Sequence, residues 1–270
     1  MRPVAVVRGA GDLATAIGRR LHLCGFSVVH LEIARPTVIR RSVAFASAVF
    51  EGRISVESVT AVLARDASEA SAILREGQIA VLVDPEAKSI GVLSPALLVD
   101  AILAKRNLGT TRDQAPCVVA VGPGFTAGVD AHAVVETCRG HNLGRVYFEG
   151  AALPDTGIPG EIAGAGSERL LRAPCAGVFL PRRAIGEFLR AGDPVGEVAS
   201  EPVRASIDGV LRGILYPGLD VQEGQKVGDV DPRGERELCF TISDKANAVA
   251  GGVLEAALRS EAIRPLVVPG

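Results

Sequence analysis

The chain has 270 residues, 48% of them apolar, and a formal net charge of −2. That is ample apolar material for buried cores, and two modest domains fit the length. It offers no basic field for nucleic acid, and with aromatics at 4% and no Trp it has few platforms for stacking single-stranded bases.

Residues 4 to 14 are the most informative stretch. An apolar strand, Val4 to Val7, runs into Gly9-x-Gly11-x-x-Ala14 at the start of a helix predicted over residues 12 to 24. Gly9 permits the tight turn, Gly11 lets a pyrophosphate approach the backbone, small Ala14 lets helix pack on strand, and the helix amides attract an anion. Asp12 and Thr15 flank the same turn. Gly25 suits the helix stop, and Phe26 to Ile33 reads as a second strand. Glu32 lies 23 positions after Gly9, near the ~20-residue spacing at which an acidic side chain holds a ribose hydroxyl. These residues point to a nucleotide ligand; the bland alternative is a tight turn in a parallel sheet.

Beyond Glu32 come Arg35, Arg40 and Arg41. Their planar forks suit phosphate, and a solvated basic loop is the competing reading. Glu32 favours an unphosphorylated ribose while the arginines favour a phosphorylated one, so NAD and NADP both stay open. Further on, Val59 to Leu74 and Leu97 to Ala104 read as helices and Ile79 to Val83 as a strand ending in Asp84-Pro85. A polar link, Gly109 to Pro116, marks a boundary near residue 110. Val118 to Val121 then enters a second glycine run, Gly122-Pro-Gly124-Phe-Thr-Ala-Gly128. It serves either as an anion nest or as a tight corner; no Gly-Lys-Ser follows to make a P-loop.

Asp130 to His141 gathers His132, Glu136, Cys138, Arg139 and His141. Alternation along an extended chain separates some of them, so a structural cluster is favoured over a metal or acid-base site, and no metal is assigned. No catalytic residue is assigned either. The five cysteines are widely spaced with no Cys-x-x-Cys pair, so neither a disulfide framework nor a zinc ribbon is expected.

In the C-terminal half, Gly177-Val178 matches Gly209-Val210, and Gly186, Leu189, Gly192, Val195 and Val198 match Gly218, Val221, Gly224, Val227 and Val230, each 32 residues on. Two β units that pack together are expected. This repeat resembles the barrel-sandwich hybrid of biotinyl and lipoyl carrier domains, but the connection Ala199 to Arg204 has no lysine to modify, which argues for a docking or rigid binding element. Ser243 or Asp244 is placed to cap a last helix reaching about Arg259. Gly251-Gly252 within it marks a close approach of another backbone or a ligand, and Asp244 and Lys245 are candidate site residues for which a cap and a solvated charge are the simpler reading.

The expected fold is α/β: a Rossmann-like parallel-sheet domain over 1–110, then a β-rich, barrel-sandwich-like domain over 111–270 with the tandem repeat and a C-terminal helix. No apolar run of 18 residues and no signal pattern is found, so no membrane contact and a cytoplasmic location are expected.

Several uncommon strings occur together: Gly9-Ala-Gly-Asp-Leu-Ala-Thr15, Glu32 to Arg41, Gly122 to Gly128, Val134 to His141, Thr156-Gly-Ile-Pro-Gly160 and Ile242-Ser-Asp-Lys-Ala246. They resemble the accessory proteins of the selenium-dependent molybdenum hydroxylase system, the YqeB family. The resemblance implies maturation of a molybdenum hydroxylase, the client enzyme, through its dinucleotide cofactor, its selenium or the terminal molybdenum ligand. The dinucleotide form of the molybdenum cofactor carries the pyrophosphate and ribose that Gly9, Gly11 and Glu32 are placed to hold. Two other classes stay open: an oxidoreductase using NAD(P) or FAD, and a non-catalytic docking protein for a hydroxylase. A homo-oligomer is compatible with each.

Overall fold

The computed structural model describes residues 2–155, 157 and 161–267. The chain divides into two units, the first made of Met1–Pro36, Ala44–Thr156 and Ile242–Gly270, the second of Thr37–Val43 and Gly157–Thr241.

The first unit starts with β1 (Val4–Arg8), α1 (Asp12–Leu23) and β2 (Ser27–Glu32), followed by a short α2 (Ala48–Glu51). β3 (Arg53–Val56), β4 (Val59–Ala64), α3 (Ala67–Arg75), β5 (Ile79–Val83), α4 (Ile90–Leu93) and β6 (Leu97–Asp100) follow. Then come β7 (Cys117–Val121), β8 (Thr126–Ala127), β9 (Ala133–Val135), β10 (Val146–Tyr147) and β11 (Gly150–Ala151). A nine-stranded sheet forms in the order β10-β9-β7-β6-β1-β2-β5-β4-β3, and β8 pairs with β11 apart from it. The centre is parallel, as in β1 with β2 and with β6, while β3 on β4 and β10 on β9 are antiparallel.

Both faces of this sheet are covered, which is why its strands read as continuous apolar runs instead of alternating ones. One face carries Val6, Val29, Leu98, Val118 and Val134 against Ala70 and Ile73 of α3. The opposite face meets α1 and also α5 (Asp244–Arg259), which is followed by a short α6 (Arg264–Val267). A Cβ on Gly252 of α5 would lie 2.3 Å from Gly144 O and 2.8 Å from Val135 Cγ1, so the close approach expected at the glycine pair is real. Ser243 caps this helix, its Oγ accepting from the Ala246 amide at 3.2 Å.

The second unit consists of β12 (Leu170–Arg172), β13 (Gly177–Pro181), β14 (Phe188–Leu189) and β15 (Pro194–Val198), then β16 (Glu201–Arg204), β17 (Gly209–Ile214), β18 (Leu219–Val221) and β19 (Lys226–Asp231). They form two four-stranded sheets, β12-β19-β17-β14 and β16-β15-β13-β18. Each sheet thus takes two strands from residues 170–198 and two from residues 201–231. Leu171, Phe179, Val195, Leu211 and Val227 fill the shared core.

The expected order of a Rossmann-like parallel domain followed by a barrel-sandwich-like domain is overturned. The architecture is a large mixed nine-stranded sheet with separate antiparallel sheets, and the larger unit is built from residues on both sides of the smaller one. Residue 110 falls inside the first unit, because β7 and β9 extend the same sheet. Two elements also differ. Val59 to Leu74 splits into β4 and α3, and Leu97 to Asp100 is a strand; short apolar runs carry no periodicity that separates buried strand from buried helix. Of the string Thr156 to Gly160, residues 156 and 158–160 lie outside the described residues.

Candidate functional site

At the carboxyl end of β1, Gly9 takes φ +93°, and a Cβ there would sit 2.9 Å from Ala101 O, just past β6. Its amide donates to Leu31 O at 2.7 Å. The carbonyl is held by His30, fully buried on β2, whose Nδ1 lies 2.8 Å away. A carbonyl only accepts, so Nδ1 carries a proton in this contact. Burial drives the His30 pKa down to about 4 against the opposing pull of that bond. Gly18 of α1 covers the ring so closely that a Cβ would stand 2.0 Å from Nε2, and Phe45 packs edge-on at 5.4 Å between centroids.

Glu32 closes the other side of the turn. Its Oε2 accepts from the Ala10 amide at 2.9 Å and its Oε1 from the Ile33 amide at 2.8 Å. Burial raises its pKa, and those two amides oppose the rise. Each oxygen retains a lone pair for a further donor, but the Ala10 amide faces Glu32. The anion-attracting groups left are those at the N-terminus of α1, where Gly11 is the N-cap and makes no side-chain cap bond. Asp12 places a carboxylate in the first helical turn. Ala14 and Thr15 are sealed; Thr15 Oγ1 donates to Ala10 O at 3.2 Å and accepts from the Phe45 amide at 2.7 Å. They shape the turn from beneath.

A buried network that sequence reading missed lies alongside. Arg8 and Asp100, at the ends of adjacent β1 and β6, stand 3.6 Å apart with both side chains at most 5% exposed. Thr110 Oγ1 accepts from Arg8 and donates to Asp100 Oδ2 at 2.6 Å. Arg8 also donates to Leu108 O at 3.2 Å. Their parallel pairing brings residues 8 and 100 into register, and sequence distance alone gives no sign of it.

The second glycine run is a packed corner. A Cβ on Gly122 (φ +82°) would meet Thr137 Oγ1 at 2.9 Å, and one on Gly124 (φ +101°) would meet Arg106 Cα at 2.6 Å. Glu136 beyond β9 is fully buried, its oxygens taking the amides of Thr137 and Cys138 at 2.7 Å and of Leu153 at 2.9 Å. His132 Nδ1 accepts from the Val118 amide at 3.0 Å. Among the described residues no three of His, Cys, Asp and Glu converge as a metal-ligand set.

The arginines part company. Arg35 is exposed in the first unit, whereas Arg40 and Arg41 belong to the second. Arg40 is buried and donates to Leu238 O at 3.1 Å and Thr241 O at 3.0 Å, while Arg41 lies over the Tyr216 ring at 4.8 Å. In the same unit Asp231 is ion-paired with Arg212 at 3.4 Å and Arg233 at 2.6 Å.

Fold and site together define a mixed α/β protein with a glycine turn at the carboxyl end of central parallel strands. The particular likeness is to uncharacterized protein YqeB of Escherichia coli (strain K12), 49% identical over 253 residues that make up 94% of this chain. The chain spans 47% of that relative's length. This likeness supports the resemblance to the YqeB family. No family model matches. Among solved structures, an aspartoacylase family protein from Mesorhizobium loti is 13% identical with a TM-score of 0.28, and each chain is covered over 85%. A succinylglutamate desuccinylase/aspartoacylase from Rhodobacter sphaeroides is 14% identical with a TM-score of 0.24, again over 85% of each chain. Scores this low transfer neither fold nor activity. Among the described residues, no helix is long and apolar enough to cross a membrane.

Proposed function

We propose that this chain binds a nucleotide by its diphosphate at the Gly9–Asp12 turn, and that the ligand is the dinucleotide form of the molybdenum cofactor, handled for a molybdenum hydroxylase client. The observation that carries the binding reading is the uncapped N-terminus of the 12-residue α1, reached through a glycine at φ +93° and flanked by Glu32. Gly9 and Gly11 keep the backbone bare, the first α1 amides meet the phosphates, and the spare lone pairs of Glu32 accept from ribose. His30 holds the turn's shape from below. Of the three arginines that follow Glu32, Arg35 is the one in the first unit, and Gly122 and Gly124 shape the neighbouring loops.

The choice of cofactor and client rests on the resemblance to the selenium-dependent hydroxylase accessory proteins. A cytoplasmic place of action belongs to the same reading. The test is mass spectrometry of small molecules released from freshly purified protein, beside thermal-shift scans with NAD, NADP, FAD, CTP and isolated molybdenum cofactor. A ligand that binds only the folded state must raise its stability. A pterin or cytidine nucleotide, with the shift lost in Gly11→Asp, supports the proposal. A bound nicotinamide or flavin, or no ligand and no shift, overturns it.

A further inference from the structure

Leu211 of β17 and Val230 of β19 belong to the core of the smaller unit, so their chain neighbours Arg212, Asp229 and Asp231 turn to the other face of that sheet. All three are buried. Both carboxylates are claimed by other cations. Asp231 takes the fork of Arg233, Oδ1 accepting from Nε at 2.9 Å and Oδ2 from Nη2 at 2.6 Å. Asp229 is paired with Arg169 and, at 3.6 Å, with Lys226. Arg212 comes second at Asp231, with Nη1 3.4 Å from Oδ2, and its Nε has no hydrogen-bond partner among the described residues.

The backbone brings a second buried guanidinium to the same strand. The Ile214 amide donates to Ile39 O at 2.8 Å, and a Cβ on Gly213 would lie 3.2 Å from Arg40 N. Residues 39 and 40 therefore run along β17 beside Arg212. From there Arg40 Nη2 reaches the carbonyls of Leu238 and Thr241, which orient the side chain and bring no negative charge. Burial, then the Arg40 charge, lower the Arg212 pKa against the pull of Asp231 and Asp229. A buried guanidinium with unspent donors is unfavourable unless an anion meets it. An oxyanion between the two arginines supplies acceptors to Arg212 and negative charge to both, and the oxygens of a phosphate match guanidinium forks.

We propose that Arg212 and Arg40 form an oxyanion site of the phosphate class within the smaller unit. It shares no residue with the Gly9–Asp12 turn and does not rest on the nucleotide-binding reading.

The test is calorimetric titration of the purified full chain with inorganic phosphate, in chloride buffer of constant ionic strength, using wild type, Gly11→Asp, Arg190→Gln, Arg212→Lys and Arg212→Met. Arg190 is an exposed arginine of the same unit, and its variant should bind like wild type, as should Gly11→Asp. Losing one charge-assisted fork should weaken phosphate about tenfold or more in Arg212→Met, with Arg212→Lys in between. Chemical denaturation in chloride alone separates this role from a structural one. Removing a buried cation that lacks an anion of its own should leave Arg212→Met at least as stable as wild type, whereas removing a needed partner of Asp231 lowers stability. A wild-type chain that binds no phosphate overturns the proposal without reference to any variant. Phosphate lost in Gly11→Asp but kept in Arg212→Met overturns it too, assigning the anion to the glycine turn. So does an Arg212→Met chain destabilised in chloride, which shows the guanidinium to be held for Asp231.

Discussion

Gly251 and Gly252 are adjacent in the middle of α5, yet alanine should act on them in opposite directions. Each glycine costs its helix about 1 kcal/mol relative to alanine, so propensity alone favours both substitutions. At Gly251 the new Cβ meets only Arg20 Nη1 at 3.0 Å, the far end of a side chain that can move, and stability should rise by up to about 1 kcal/mol. At Gly252 it would meet Gly144 O at 2.3 Å and Val135 Cγ1 at 2.8 Å, about an ångström inside ordinary contact. Nor can Gly144 yield easily, since a Cβ on it would stand 2.6 Å from Ala248 O and its amide is bonded to Glu136 O at 3.0 Å. Overpacking typically costs 1–3 kcal/mol and more against backbone, so Gly252→Ala should lose roughly 2 kcal/mol net after the propensity gain. Urea unfolding followed by far-ultraviolet circular dichroism, fitted separately for the transition that involves the first unit, reads both changes. If Gly252→Ala is as stable as the wild type, helix and loop are not in contact as described.

Three further outcomes follow from the buried groups under the turn. His30 takes up its proton near pH 4 when folded and near 6.5 when unfolded, so between those values the unfolded state binds more protons. Stability is then full above pH 6.5 and falls by up to about 3 kcal/mol as pH drops to 4; comparing denaturant midpoints at pH 7 and 4.5 for wild type and His30→Asn should show a smaller drop in the variant, and an equal drop would refute the assignment. Asp100→Ala strips buried Arg8 of its carboxylate and should cost about 3–5 kcal/mol, with Asp100→Asn milder; equal stability by chemical denaturation would show the pair to be dispensable. Gly9→Ala forces a side chain into φ +93° and against Ala101 O, with a loss of about 1–3 kcal/mol and weakened ligand binding expected; a variant indistinguishable in melting and in nucleotide titration would contradict the geometry of the turn.

Legibility followed the range of the interaction. Gly9, Gly11 and Glu32 lie within one strand-helix-strand passage, where local spacing fixes geometry, and the structure brings them together. Ser243 as a cap and the close approach at Gly252 were readable for the same reason, since cap chemistry and the cost of mid-helix glycine are local. The strand character of Leu97–Asp100 was not, because four apolar residues carry no distinguishing period. Arg40 and Arg41 follow Glu32 closely in sequence, yet the chain enters its other unit at Thr37, and no composition shift announces that crossing. The Arg8–Asp100 and Arg139–Asp244 pairs join residues about a hundred positions apart and depend on sheet order and helix docking, which motif spacing does not encode.

The docking of α5 also sets an order of assembly. Val249, Val253 and Ala257 are fully buried and Ala256 nearly so, on a helix that follows every strand of the four sheets in the chain. Until it arrives, α1 and the sheet face beneath it keep an apolar flank open to water, while all strands of the smaller unit are already available to pair with one another. Until α5 docks, the chain therefore carries a sticky, unfinished surface, and the docking of that helix closes it.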